Sequence, residues 1–151
     1  AAQTLAAQLY GSDRCFFAVN GTTQAIQAML MTAVKPGGKV LIPRNAHRSV
    51  AGGLLLGDLE PVDVLPQFDA VFGINTQVTA GQIEEALQKD PSIKAVFLTS
   101  PNYYGQAAAI KTIAQIAHTY GAALLVDDAH GPPLGFSELL PPSSMACGAD
   151  A

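Results

Sequence analysis

Charge is what this sequence has least of. Asp, Glu, Lys and Arg make up 13% of its 151 residues while 49% are hydrophobic; a typical soluble domain is roughly 25% charged. A chain so poor in charge cannot coat its whole surface with polar groups. Part of that surface is therefore expected to be buried against other segments of the polypeptide or a second subunit. Basic residues are scarcer still than acidic ones, giving a net charge of -4 and a pI near 5.1. That balance argues against nucleic acid, which selects basic faces. No apolar run approaches the ~18 residues a membrane span needs. The opening AAQTLAAQLYGSD lacks the basic region and apolar core of a signal peptide. Cysteine is rare too: Cys15 and Cys147 stand far apart with no CxxC spacing, as expected of reduced thiols in a cytoplasmic protein. Neither an internal repeat nor a low-complexity linker divides the chain. Position 1 is not Met, and Gly148–Ala151 break off where a new strand would start, so residues 1–151 are read as one partial domain, truncated at both ends.

What is present is an alternation of short apolar runs with helical periodicity. Residues 3–10 have helical spacing, with Leu5 and Leu9 four apart, and Gly11 stops them. Cys15–Val19 reads as a buried strand, Thr22–Val34 as a helix ending at Lys35-Pro36-Gly37-Gly38. Lys39–Ile42 is a strand, Ala46–Leu56 a helix weakened by two glycines, and Pro61–Leu65 a strand. Pro66–Gln77 has no period and is read as loop. Thr79 followed by Gln82 forms a capping box that opens a helix through Lys89. Lys94–Thr99 is a strand, Ile110–Tyr120 a helix closed by Gly121, and Ala122–Asp127 a strand. A proline-rich loop follows, and Ser143–Cys147 reads as a short helix. Near-continuous apolar strands alternating with helices predict an α/β fold, a mostly parallel sheet with helices on both faces.

In such sheets, ligands bind outside the carboxyl ends of the strands. The unusual polar groups fall there: Asn20-Gly21-Thr22-Thr23, Arg44-Asn45-Ala46-His47, Ser100-Pro101-Asn102-Tyr103-Tyr104-Gly105 and Asp127-Asp128-Ala129-His130. Four clusters at strand ends would converge on one edge and make a site. Gly21-Thr22-Thr23 before a helix suits a phosphate, although Asn and Thr are also plain caps. His47 either stacks on a planar ligand, binds a metal or simply starts a helix. The sequence has no HExxH and no close His pair, so no metal is assigned. Asp127 ends an apolar run, where a carboxylate needs a cationic or donating partner unless it only caps the next loop through an Asx-turn. Asp128 should point the opposite way, since side chains alternate along a strand. A phosphate loop of the G-x-x-x-x-G-K-[ST] type is absent, because Gly37-Gly38-Lys39-Val40 lacks both the spacing and the hydroxyl.

The segments FAVNGTT (Phe17–Thr23), LIPRNAHRSV (Leu41–Val50), FLTSPNYYG (Phe97–Gly105) and LLVDDAHG (Leu124–Gly131), in this order along essentially the whole chain, resemble the bacterial ornithine/lysine/arginine decarboxylases. That resemblance implies the large cofactor-binding domain of the aspartate-aminotransferase-like fold, with pyridoxal 5'-phosphate (PLP) as cofactor. It implies that Gly21, Thr22 and Thr23 hold the phosphate, that His47 stacks on the pyridine ring, and that Asp127 pairs with the ring nitrogen. Ala129 would pack on the opposite ring face, His130 would lie near the Schiff base, and Ser100 and Asn102 near the ring's edge. Asp127 and His130 would be the catalytic pair. The implied reaction is decarboxylation of a basic amino acid by a homodimer or higher homo-oligomer; an aminotransferase or lyase of the same fold, or a noncatalytic phosphate-binding module, are the alternatives. The five lysines, Lys35, Lys39, Lys89, Lys94 and Lys111, all precede Asp127. The resemblance places the Schiff-base lysine in a Ser-x-His-Lys stretch on the following strand, so the segment by itself is expected to be inactive.

Overall fold

The computed structural model describes residues 1–151. Four parallel strands form the sheet: β1 (Lys39–Pro43), β2 (Glu60–Val64), β5 (Ile93–Thr99) and β6 (Ala123–Asp127), in the order β2-β1-β5-β6. A separate two-residue hairpin, β3 (Phe68–Asp69) with β4 (Ile74–Asn75), stands apart from it. The helices are α1 (Ala2–Tyr10), α2 (Gly21–Ala33), α3 (Arg48–Gly57), α4 (Ala80–Lys89) and α5 (Ile110–Thr119).

Side-chain alternation along the strands builds one core on each face of the sheet. Val40, Ile42, Ala95, Phe97 and Leu125 pack with Ile26 and Leu30 of α2 and Val50 and Leu54 of α3. Leu41, Val96, Leu98, Leu124 and Val126 face the other way, onto Ile83 and Leu87 of α4 and Ile113 and Ala117 of α5. Such two-sided burial explains why the strands are near-continuous apolar runs. Sequence order reverses between β1 and β5, because β1 is followed on one side by β2 and flanked on the other by β5. A crevice outside the carboxyl ends of these strands is where an open α/β sheet takes its ligand.

The local signals act as their chemistry dictates. Thr79 Oγ1 accepts from the Gln82 amide at 3.2 Å, and Gln82 Oε1 accepts from the Thr79 amide at 2.9 Å, closing the capping box of α4. Gln82 Nε2 goes on to donate to the Leu65 carbonyl at 2.9 Å, tying the helix start to the end of β2. Lys39, opening β1, meets Asp90 at the end of α4 at 2.7 Å, and its ammonium holds that carboxyl down to about 2.

Three expectations are corrected. Cys15–Val19 is not a strand: none of its residues joins a backbone hydrogen bond, and Phe16 and Val19 are 78% and 90% exposed. An apolar run becomes a strand only when a neighbour supplies the ladder, and no strand here pairs with it. The free side of β6 is met instead by Asp150 and Ala151, through Asp150 N–H to Leu124 O (2.9 Å) and Val126 N–H to Ala151 O (2.8 Å). Within the expected loop 66–77 lies the β3–β4 hairpin, held by Asp69 Oδ1 accepting from the Val71 and Phe72 amides. Ser143–Cys147 makes turns rather than a helix. Its one helical bond, Cys147 N–H to Ser143 O, is not continued, because Gly148 takes φ +96°, outside the helical region.

Large apolar side chains stand exposed outside the two cores, among them Val71, Phe72 and Leu139. No helix is long and apolar enough to cross a membrane. Thr79→Ala should cost about 1 kcal/mol of folding free energy, the value of a lost cap, whereas Thr79→Ser should cost little. Urea denaturation of the two variants checks this.

Candidate functional site

A cavity of about 470 Å³ opens outside the carboxyl ends of β1, β5 and β6, at the reversal of strand order. Each strand contributes its last residue: Pro43, Thr99 and Asp127. Thr22 and Ile26 of α2 form one wall, and Gln77, Asn102 and the tyrosines 103 and 104 another.

Asp127 is the floor's only carboxylate and is 7% exposed. Its Oδ1 accepts from the Ala129 amide at 3.2 Å, an Asx-type turn. That turn sends the chain away from the sheet and sets Ala129 and His130 on the cavity wall. The other oxygen takes no donor from the chain. Beside it in register is Thr99, whose Oγ1 is buried without any hydrogen-bond partner. Thr99 Oγ1 thus lacks the partner that burial calls for, and the free Asp127 oxygen beside it is left facing the cavity.

His47 lines the cavity and also caps α3: its Nδ1 accepts from the Ser49 amide at 3.2 Å. With Nδ1 serving as acceptor, a neutral ring carries its proton on Nε2. Thr22 reaches the cavity; Gly21 and Thr23 are exposed and do not line it. Gly21 turns the backbone into α2 at φ +72°. Asn20 makes no side-chain cap, and nothing in the chain bonds the amides of Gly21, Thr22 and Thr23. The helix therefore presents free N–H groups and the positive end of its dipole beside the cavity.

Asn102 is on the wall, but its polar atoms are largely committed. Oδ1 accepts from the amides of Tyr104 and Gln106, both at 3.0 Å, and Nδ2 donates to Gln106 Oε1 at 3.1 Å. At most one N–H is left for a ligand. Ser100 is not brought in. Alternation turns it to the opposite face of β5, where its hydroxyl accepts from the Ala108 amide at 3.0 Å and it lines a separate cavity of about 270 Å³. Arg44 is also drawn off, into an exposed ion pair with Asp63 at 2.9 Å.

Asp128 points away from Asp127, as alternation requires, into that second cavity. Its carboxyl is raised above the ordinary range, first by burial and then by the neighbouring Asp127 charge, against the lowering effect of Ser144, whose hydroxyl donates at 3.1 Å. A Cβ at Gly131 would lie 1.6 Å from Asp128 Oδ1, so a larger residue there would displace that carboxyl. No group of three His, Cys, Asp or Glu side chains is placed to hold a metal ion.

Thr99, Gln77 and Asn75 were not singled out in the sequence. For Thr99 the signal was available: it is the last residue of a strand that ends at a polar cluster. Asn75 ends the hairpin and Gln77 follows it, in a stretch with no period to place them.

Residues 1–151 match the family Orn/Lys/Arg decarboxylase, major domain. The chain belongs to that family. An arginine decarboxylase of Halalkalibacterium halodurans is 40% identical over 149 residues, which is 99% of this chain and 30% of that protein. This major domain thus spans about a third of the length of the curated relatives it matches. Among solved structures, the SepCysS–SepCysE complex superposes with a TM-score of 0.78 at 18% identity, over 99% of this chain and 39% of that one. Cystalysin from Treponema denticola, described as containing pyridoxal 5'-phosphate, gives 0.58 at 20% identity, over 70% of this chain and 27% of its own. Both likenesses show the fold, an aminotransferase-like α/β layer.

The Asp128 carboxyl yields a stability prediction. A buried acid with a raised pKa binds its proton more tightly folded than unfolded, so stability falls as pH rises through that window. Asp128→Asn keeps an acceptor for Ser144 and removes the buried charge. The variant should be more stable than the parent at pH 7, and the advantage should vanish below about pH 4. Urea titrations at the two pH values measure the difference.

Proposed function

We propose that the protein containing this major domain is a PLP-dependent decarboxylase of a basic amino acid, with arginine the first substrate to test because curated relatives are named arginine decarboxylase. The observation that carries the reading is the Asp127 carboxylate, 7% exposed at the cavity floor with one oxygen lacking a donor. Such a group calls for a cationic or N–H partner, and a protonated pyridine nitrogen is one.

The remaining wall fits the same cofactor. The free amides at the start of α2, with the Thr22 hydroxyl, suit a phosphate. His47 and Ala129 both line the cavity and offer an aromatic face and a small apolar one for a flat ring. Bound there, PLP supplies an electron sink for the pair left behind when carbon dioxide departs.

The chain's own residues then have definite tasks. Asp127 keeps a proton on the group it faces, through charge rather than by transferring it. His47 orients the ring while its Nδ1 stays tied to Ser49. His130 forms no hydrogen bond within the chain and is the wall's acid–base group. The lining residues include no lysine; the reading expects that amine from the rest of the polypeptide. The low charge and the exposed apolar side chains support assembly as at least a homodimer.

In the full-length protein, Asp127→Asn retains the acceptor for the Ala129 amide but not the charge. It should leave PLP bound and lower amine release from arginine, lysine or ornithine by about a hundredfold or more. Near-normal turnover would sink the role. His47→Asn retains a capping side chain for α3 but has no ring. Its PLP dissociation constant, read by absorbance titration, should rise roughly two- to tenfold with little change in melting temperature. A melting-temperature loss without weaker PLP binding would show that His47 is only a cap.

A further inference from the structure

Gln77 sits two residues before the cap of α4, on a segment held from both sides. Thr76 N–H donates to the Gln67 carbonyl at 2.7 Å, and Val78 is buried in the core against α4 and α5. With Val78 turned inward, Gln77 is left on the cavity wall.

Its side-chain amide has two N–H donors, and both are spent on backbone carbonyls far away in sequence. Nε2 donates to Thr99 O at 3.1 Å and to Gln106 O at 2.7 Å. The first is the last carbonyl of β5, directly under the cavity. The second closes the turn Asn102–Gln106, because Gln106 O also accepts from the Asn102 amide at 2.9 Å. Within that turn Asn102 Oδ1 holds the Tyr104 and Gln106 amides, and Gln106 Oε1 accepts from Asn102 Nδ2. The turn carries Tyr103 and Tyr104, which form part of the wall and pack edge to face at 5.6 Å.

Carbonyl oxygens repel one another, and a side chain with two N–H groups can satisfy both. Gln and Asn alone combine that pair with an uncharged head, and Asn is a methylene shorter. We infer that Gln77 is a positioning residue for the ligand cavity: its amide straps the Asn102–Gln106 turn to the end of β5 and so fixes the wall on which the ligand rests. With both hydrogens used, the amide cannot flip without losing two bonds. Its Oε1, bonded to nothing in the chain, is therefore fixed as an acceptor. The strap rests on hydrogen bonds within the chain; its effect on PLP rests on the function proposed above.

The test uses the full-length protein with PLP as the probe, and two variants of nearly the same shape. Gln77→Met and Gln77→Glu both lack the N–H donors, and Gln77→Glu keeps the outline of the side chain. Two quantities are read: the PLP dissociation constant, and hydrogen exchange at the Tyr104 and Gln106 amides. Both variants should exchange these amides at least about tenfold faster and bind PLP about three- to tenfold more weakly, the worth of one or two net hydrogen bonds. Amides on α4 and α5 should keep their wild-type exchange. Wild-type values for either quantity in both variants would overturn the inference, and so would unprotected Tyr104 and Gln106 amides in the parent without PLP. Unprotected amides in the parent overturn the inference even where the variants fail to fold. A parent that binds no PLP would instead overturn the proposed function, and with it the cofactor part of the inference; the strap is then judged on exchange alone.

Discussion

The parallel pairing of β5 with β6 is what the rest of the site hangs on. It sets Thr99 opposite Asp127 and makes them the last residues of adjacent strands. The residues just before them, Ala95–Leu98 and Leu124–Val126, are apolar and buried, so water reaches these side chains from the open end. A carboxylate placed there loses most of its hydration but keeps one side open to a ligand. That position creates demand for a donor at one spot, and the surrounding turns are arranged about it. The Asx-turn on Oδ1 sets Ala129 and His130, while the Thr99 carbonyl anchors Gln77.

The two faces of the sheet divide the polar residues as strictly as they divide the apolar ones. Phe97, Thr99, Leu125 and Asp127 belong to the face covered by α2 and α3. Leu98, Ser100, Val126 and Asp128 belong to the face covered by α4 and α5. The free amides at the start of α2 and the cap at the start of α3 then join the first set, because both helices lie on that face. The superposition on the SepCysS–SepCysE structure agrees with the same α/β layering.

Much of this was legible in the residues themselves, for identifiable reasons. The capping box of α4 and the glycine stops after α1 and α5 are local chemistry, and the helices begin and end within a residue or so of them. Asp127 and Asp128 were separable because alternation needs no partner. The same rule applied to Thr99 and Ser100 would have exchanged them, moving Ser100 off the cavity. What failed depended on distant groups. Cys15–Val19 has a strand's composition but no ladder to join, and a two-residue hairpin is too short to carry a period. Gln77 acts on carbonyls 22 and 29 positions away in the chain, which no pattern around it could announce.

The opposed directions of Asp127 and Asp128 also limit how the chain can change length. Loops on the amino side of the strands can gain or lose residues and only lengthen a connection. One residue inserted within Ala123–Asp127 would instead rotate every later side chain to the other face. The cavity would then be offered the carboxyl now held by Ser144, and the present floor acid would be pressed toward α5. Length variation among related chains should therefore collect between α4 and β5 or between α5 and β6, and leave the strand ends at Thr99 and Asp127 in step with each other.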